Sequence, residues 1–118
     1  MTIEELKIKL IKLGWSFEEG RGTGVAWQAY KRFPNFNSCL LNDRPPAVIL
    51  VPYEFPLDGR RFESIEFQIT GQTQSGEWVN FKVYSVNIDE AIDKIPLAVD
   101  LLRAAWNATC FGITEITR

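Results

Sequence analysis

No histidine occurs anywhere in the 118-residue chain. That gap removes the commonest general base, the Ser–His and Cys–His nucleophile pairs, and the commonest transition-metal ligand together. Cysteine is scarce as well: Cys39 and Cys110 lie far apart, with no CxxC spacing. Neither has an imidazole to activate it and no GxSxG elbow occurs, so buried free thiols are expected rather than a disulfide. Long apolar runs are missing. The longest, Ala47 to Val51, falls far short of the ~20 residues that span a bilayer. The N-terminal stretch mixes charges among its apolar residues and has no continuous h-region, so a cytoplasmic, soluble protein is expected. An excess of one charge is also absent: 13 basic against 15 acidic residues leave −2, which argues against general electrostatic binding of nucleic acid.

What is present is an ordinary globular composition, 46% hydrophobic and 24% charged, with no repeat, low-complexity tract or Gly/Ser linker. One α+β domain over residues 1–118 is expected. Thr2 and Glu5 form a capping box, after which Ile3, Leu6, Leu10 and Leu13 recur at helical spacing, with Ile8 and Ile11 widening the stripe. Gly14 is a natural stop. Strands and turns follow: Trp15–Glu18, a Glu19–Gly24 turn, Val25–Phe33, a short Ser38–Leu41, and Ala47–Val51. The last is apolar on both faces, as a central strand would be, although Pro52 ends its ladder donors. Leu57-Asp58-Gly59-Arg60 reads as a turn.

The clearest pair comes next. Ile65, Phe67 and Ile69 alternate with Ser64, Glu66, Gln68 and Thr70. Beyond a Gly71–Gly76 turn, Val79, Phe81 and Val83 alternate with Trp78, Asn80, Lys82 and Tyr84. Keeping the apolar sets on one face pairs Ile69 with Val79, Phe67 with Phe81 and Ile65 with Val83, which sets Glu66 opposite Lys82. Asn87 and Glu90 repeat the capping pattern. Pro96 is expected to break or kink the helix near Lys94 or Ile95. Leu97, Ala98, Leu101, Leu102, Ala105 and Trp106 then form a second stripe, ending near Gly112. Residues 113–118 alternate Ile and Thr and pair as an edge strand or fray. The fold expected is an antiparallel meander of four to five strands, with N-terminal and C-terminal helices packed on one face.

The chemical signals are few. Gly20 to Gly24 with Arg21 invites a phosphate-loop reading, but GxxxxGK[ST] is absent and the glycines precede a strand. Leu13 to Gly24 followed by Ala29 to Phe33 resembles small toxins with a double-stranded-RNA-binding-domain fold. Those toxins carry a catalytic histidine after such a turn; its absence here means that the resemblance assigns no activity. Glu54, Asp58, Glu63 and Glu66 crowd one stretch, but Arg60, Arg61 and Lys82 neutralise them, and a solvated strand surface is the expected reading. Asn107-Ala108-Thr109 matches a glycosylation acceptor, read as an accident of a helix surface. No metal site and no cofactor are expected.

Aromatics carry what remains. The parity of the strand pair turns Trp78 and Tyr84 away from the core, interleaved with Asn80, Lys82, Gln68 and Glu66, a composition typical of protein interfaces. The sequence therefore predicts a non-catalytic interaction module that binds a protein partner or forms a homodimer through this face. The alternative is a small-molecule or anion pocket between sheet and helix, lined by Arg21, Trp27 and Tyr30.

Overall fold

The computed structural model describes residues 1–20, 24–38, 45–57, 60–72, 76, 78–85 and 87–109. Helix α1 covers Ile3–Lys12; Thr2 caps it, accepting from the Glu5 amide at 3.1 Å. Leu6 and Leu10 are fully buried and Ile3 nearly so, whereas Ile8, Ile11 and Leu13 are exposed. The apolar stripe is thus narrower than the sequence suggests, because the sheet beneath covers only one side of so short a helix. Strands β1 (Ser16–Glu19), β2 (Trp27–Lys31), β3 (Val48–Leu57), β4 (Arg60–Gln72) and β5 (Trp78–Ser85) follow. All neighbours pair antiparallel, in the order β1-β2-β3-β4-β5. A 3-10 turn, Ile88–Glu90, leads into helix α2, Ala91–Asn107. This is the expected α+β meander with a helix at each end.

Strand β3 is the central strand, as its two apolar faces imply, but it runs on through Pro52 and Pro56. It does so because its pairing to β2 ends at Leu50, leaving the prolines where a missing donor on one side is tolerated. Leu57 and Arg60 close the β3–β4 pairing around the predicted turn; Asp58 and Gly59 themselves lie outside the described residues. So do residues 39–44, with most of the Ser38–Leu41 segment, and residues 110–118.

The β4–β5 register is two residues away from the one expected. Ile69 pairs with Phe81, Phe67 with Val83 and Ile65 with Ser85, while Glu66 lies opposite Tyr84 and Gln68 opposite Lys82. A two-residue shift preserves every side chain's face, so alternation cannot detect it. The connection decides it instead: pairing extends to Gln72 and Trp78, the Gln72 side-chain Nε2 donates to the Gly76 carbonyl at 2.6 Å, and Gly76 takes φ +87°.

Helix α2 also departs from expectation. It is continuous through Pro96 over Ala91–Asn107; the end expected near Gly112 lies outside the described residues. Its buried side chains are Ala91, Ile95, Ala98, Val99, Leu102 and Trp106, while Leu97 and Leu101 are 54% and 49% exposed. The buried set clusters on one side at 3.6-residue spacing, and Leu101 and Leu97 sit about 110° and 150° around the helix from its centre. One core joins Leu6 and Leu10 of α1, Leu102 and Trp106 of α2, and the sheet residues Trp27, Ala29, Val48, Leu50, Ile65, Phe67 and Ile69. Both helices therefore lie on the same face of the sheet.

Candidate functional site

With both helices on one side, the opposite face of the sheet is covered by neither of them. Period-two alternation sends Tyr30, Ile49, Gln68 and Lys82 to that face in one cross-strand row. Glu66 and Tyr84 form a neighbouring row, and Thr70–Asn80 and Gln72–Trp78 continue toward the β4–β5 turn. Trp78 is 72% and Tyr84 62% exposed. Asn80 and Lys82 are exposed and Gln68 is half-buried.

Glu66 differs from its neighbours. It is the one polar or charged residue buried among the described residues, 4% exposed, although it faces away from the helices. Lys82 reaches it diagonally rather than from directly opposite, with Nζ 3.2 Å from Oε1. Gln68 Nε2 donates to the same oxygen at 3.0 Å. The hydrogen bond and charge of Glu66 hold the Lys82 ammonium above its ordinary range. Burial, followed by the charge and hydrogen bond of Glu66, pushes the Tyr53 hydroxyl up. A neutralised carboxylate therefore lies beneath an aromatic and amide surface. Beside it, Gln28, Ile49, Val51, Tyr53, Gln68, Thr70 and Lys82 line a shallow groove of about 390 Å³.

All six residues of the predicted interaction face thus lie on the face away from the helices, five of them accessible and Glu66 forming the floor. The residues of the alternative pocket are not brought together. Trp27 is buried on the helix side, its ring edge-on to Phe17 at 5.2 Å, whereas Tyr30 points to the opposite face. Arg21 lies outside the described residues. Of the crowded carboxylates, Glu54 stands opposite Glu63 in the β3–β4 pairing, while Asp58 lies outside the described residues.

Sequence reasoning missed Tyr53, which sits past Pro52 in a stretch not read as strand. It also missed a clamp between the end of α2 and the segment after β2. Asn107 Oδ1 accepts from the Asn37 amide at 2.9 Å, and its Nδ2 donates to the Asn35 carbonyl at 2.7 Å. Trp106 Nε1 donates to the Asn37 carbonyl at 2.8 Å. Arg103 donates to the Pro34 carbonyl and lies over the Phe36 ring. The Asn-Ala-Thr triplet read as accidental thus contains a structural tie.

Among the described residues, no three Cys, Asp or Glu side chains gather in a way that would hold a metal ion, and no helix is long and apolar enough to cross a membrane. No protein-family model matches the sequence, no curated protein is significantly similar to it, and no solved structure matches its fold.

Proposed function

We propose that this protein is a non-catalytic interaction module that self-associates, with Trp78 and Tyr84 as its anchors. One observation carries the reading: two large aromatic side chains, both more than half exposed, stand on a sheet face that neither helix covers. Aromatic side chains bury a large area while losing few rotamers, which makes them efficient anchors at contact surfaces. The polar groups around them suit a partner rather than a reaction. Lys82 and Glu66 neutralise each other, leaving no free charge poised at a reacting atom. Gln68, Asn80 and Thr70 offer the uncharged donors and acceptors common in interface rims.

Combining Trp78→Ala with Tyr84→Ala tests the reading. The double variant is expected to keep the wild-type circular dichroism spectrum and to weaken self-association in sedimentation. Loss of the fold would make this face part of the core, and an unchanged assembly would place the contact elsewhere.

A further inference from the structure

Strand β5 lies at the edge of the sheet, paired to β4 on one side and to no described strand on the other. Its sequence, Trp78-Val79-Asn80-Phe81-Lys82-Val83-Tyr84, is symmetric by residue class about Phe81: aromatic, Val, polar, Phe, polar, Val, aromatic. A strand meeting its own copy across a two-fold axis runs antiparallel to it. With the axis at Phe81, Trp78 falls opposite Tyr84 of the second copy, Val79 opposite Val83, and Asn80 opposite Lys82. The register also respects the faces. The Trp78–Tyr84 pairs fall on the open side, and the Val79–Val83 and Phe81–Phe81 pairs extend the apolar layer against which α2 packs.

Two usual defences of an edge strand, proline and unpaired charge, are missing from β5. Residues 78–85 contain no proline, and their one charge, Lys82, is neutralised by Glu66 within the same chain. Helix α2 adds a second self-complementary feature. Glu90, Lys94, Leu97, Leu101, Ala104 and Ala108 are all exposed and alternate at spacings of four and three, the seam of a helix pair. Antiparallel pairing of that seam sets Leu97 against Leu101, Lys94 against Ala104 and Glu90 against Ala108, so no like charges meet. Both features fit one axis. Val83 and Tyr84 share a cleft with Glu90, Lys94 and Leu97. From there, roughly 8 Å along each element leads back to Phe81 on β5 and forward to about Val99 on α2, the level midway between Leu97 and Leu101.

The area is sufficient. Large aromatics bury roughly 150–250 Å² each when fully covered, so four rings from two copies, each partly covered already, supply on the order of 500 Å². A specific interface needs about 1,000 Å², and the strand edges with Leu97 and Leu101 of both copies contribute the rest. We infer that the partner is a second copy of this chain, joined edge to edge through β5 into a continuous ten-stranded sheet with the α2 helices side by side beneath it. This rests on the proposed self-association and specifies its geometry.

Cysteine cross-linking tests that geometry. In a Cys39→Ser, Cys110→Ser background, chains carrying Asn80→Cys are mixed with chains carrying Lys82→Cys and oxidised. Each variant is checked for the wild-type circular dichroism spectrum. Edge pairing brings these two positions within disulfide reach, so at least about tenfold more cross-linked heterodimer is expected than from Asn80→Cys mixed with Thr70→Cys. The unsubstituted protein provides a second readout if a cysteine variant misfolds: amide exchange across residues 78–84 is expected to slow at least about tenfold from the dilute to the concentrated protein. A dimer in sedimentation without either signature overturns edge pairing and leaves self-association standing. A monomer at every concentration overturns both. Protection of β5 that is already complete in a monomer would show that the edge is covered within the chain itself and overturn the proposal.

Discussion

At the scale of single residues, the contrast between Leu101 and Leu102 tests which side of α2 faces the core. Leu102 is buried to 1% exposure and Leu101 is not. Leu102→Ala is expected to lower stability by about 2–5 kcal/mol, and Leu101→Ala by no more than about 0.5 kcal/mol, in denaturant melts of the two variants. The Glu66–Lys82 pair makes an asymmetric prediction. Without Lys82, a buried carboxylate loses its counter-charge, whereas without Glu66 an exposed ammonium is simply hydrated. Lys82→Met should therefore cost about 1–3 kcal/mol and Glu66→Gln distinctly less. The same cluster sets a pH dependence. Lys82 and Tyr53 both hold their protons more tightly in the folded chain than at their ordinary values of 10.5 and 10.0. Their contribution is fully present below those values and is lost as pH rises through the folded ones. Stability from these groups should be flat from neutral pH to about pH 9 and fall beyond it, with a shallower fall in Glu66→Gln.

At the scale of elements, the sequence was legible wherever a local rule had one answer. Thr2 with Glu5 marks the start of α1, strict alternation marks β4 and β5, and the doubly apolar Val48–Val51 stretch marks the central strand. The register of β4 against β5 was not legible, because two registers differing by two residues bury the same side chains. The exposed side of α2 was hidden because six apolar residues gave a stripe wider than the sheet could cover. The face of Trp78 and Tyr84 followed from parity alone and survived the register error, since an even shift does not turn a side chain over. The clamp on residues 34–37 was out of reach, as its partners lie about seventy positions away. It carries its own prediction: Asn107→Ala removes two hydrogen bonds and is expected to cost about 1–2 kcal/mol. Faster amide exchange at Asn37 would accompany that loss, and an unchanged exchange rate would show that the tie does not hold the segment.

At the scale of the whole molecule, the decisive feature is an imbalance of layers. Two helices cover one face of a five-stranded sheet, and the other face carries a neutralised carboxylate, uncharged amides and two exposed aromatics. Antiparallel sheets tolerate a solvated face, and here Trp78 and Tyr84 stand exposed at opposite ends of edge strand β5, six residues apart. Tryptophan emission reads this surface directly. Trp15, Trp27 and Trp106 are buried, and Trp78 is the exposed one of the four. Any change in quencher access on association of the folded chain therefore reports on Trp78. The most direct measurement is acrylamide quenching of the wild type across a dilution series, with Trp78→Phe as the control. Quenching is expected to fall and emission to shift to the blue as concentration rises, with neither change in Trp78→Phe. Quenching of the wild type that stays the same at every concentration, with Trp78 fully accessible throughout, would contradict self-association through this face.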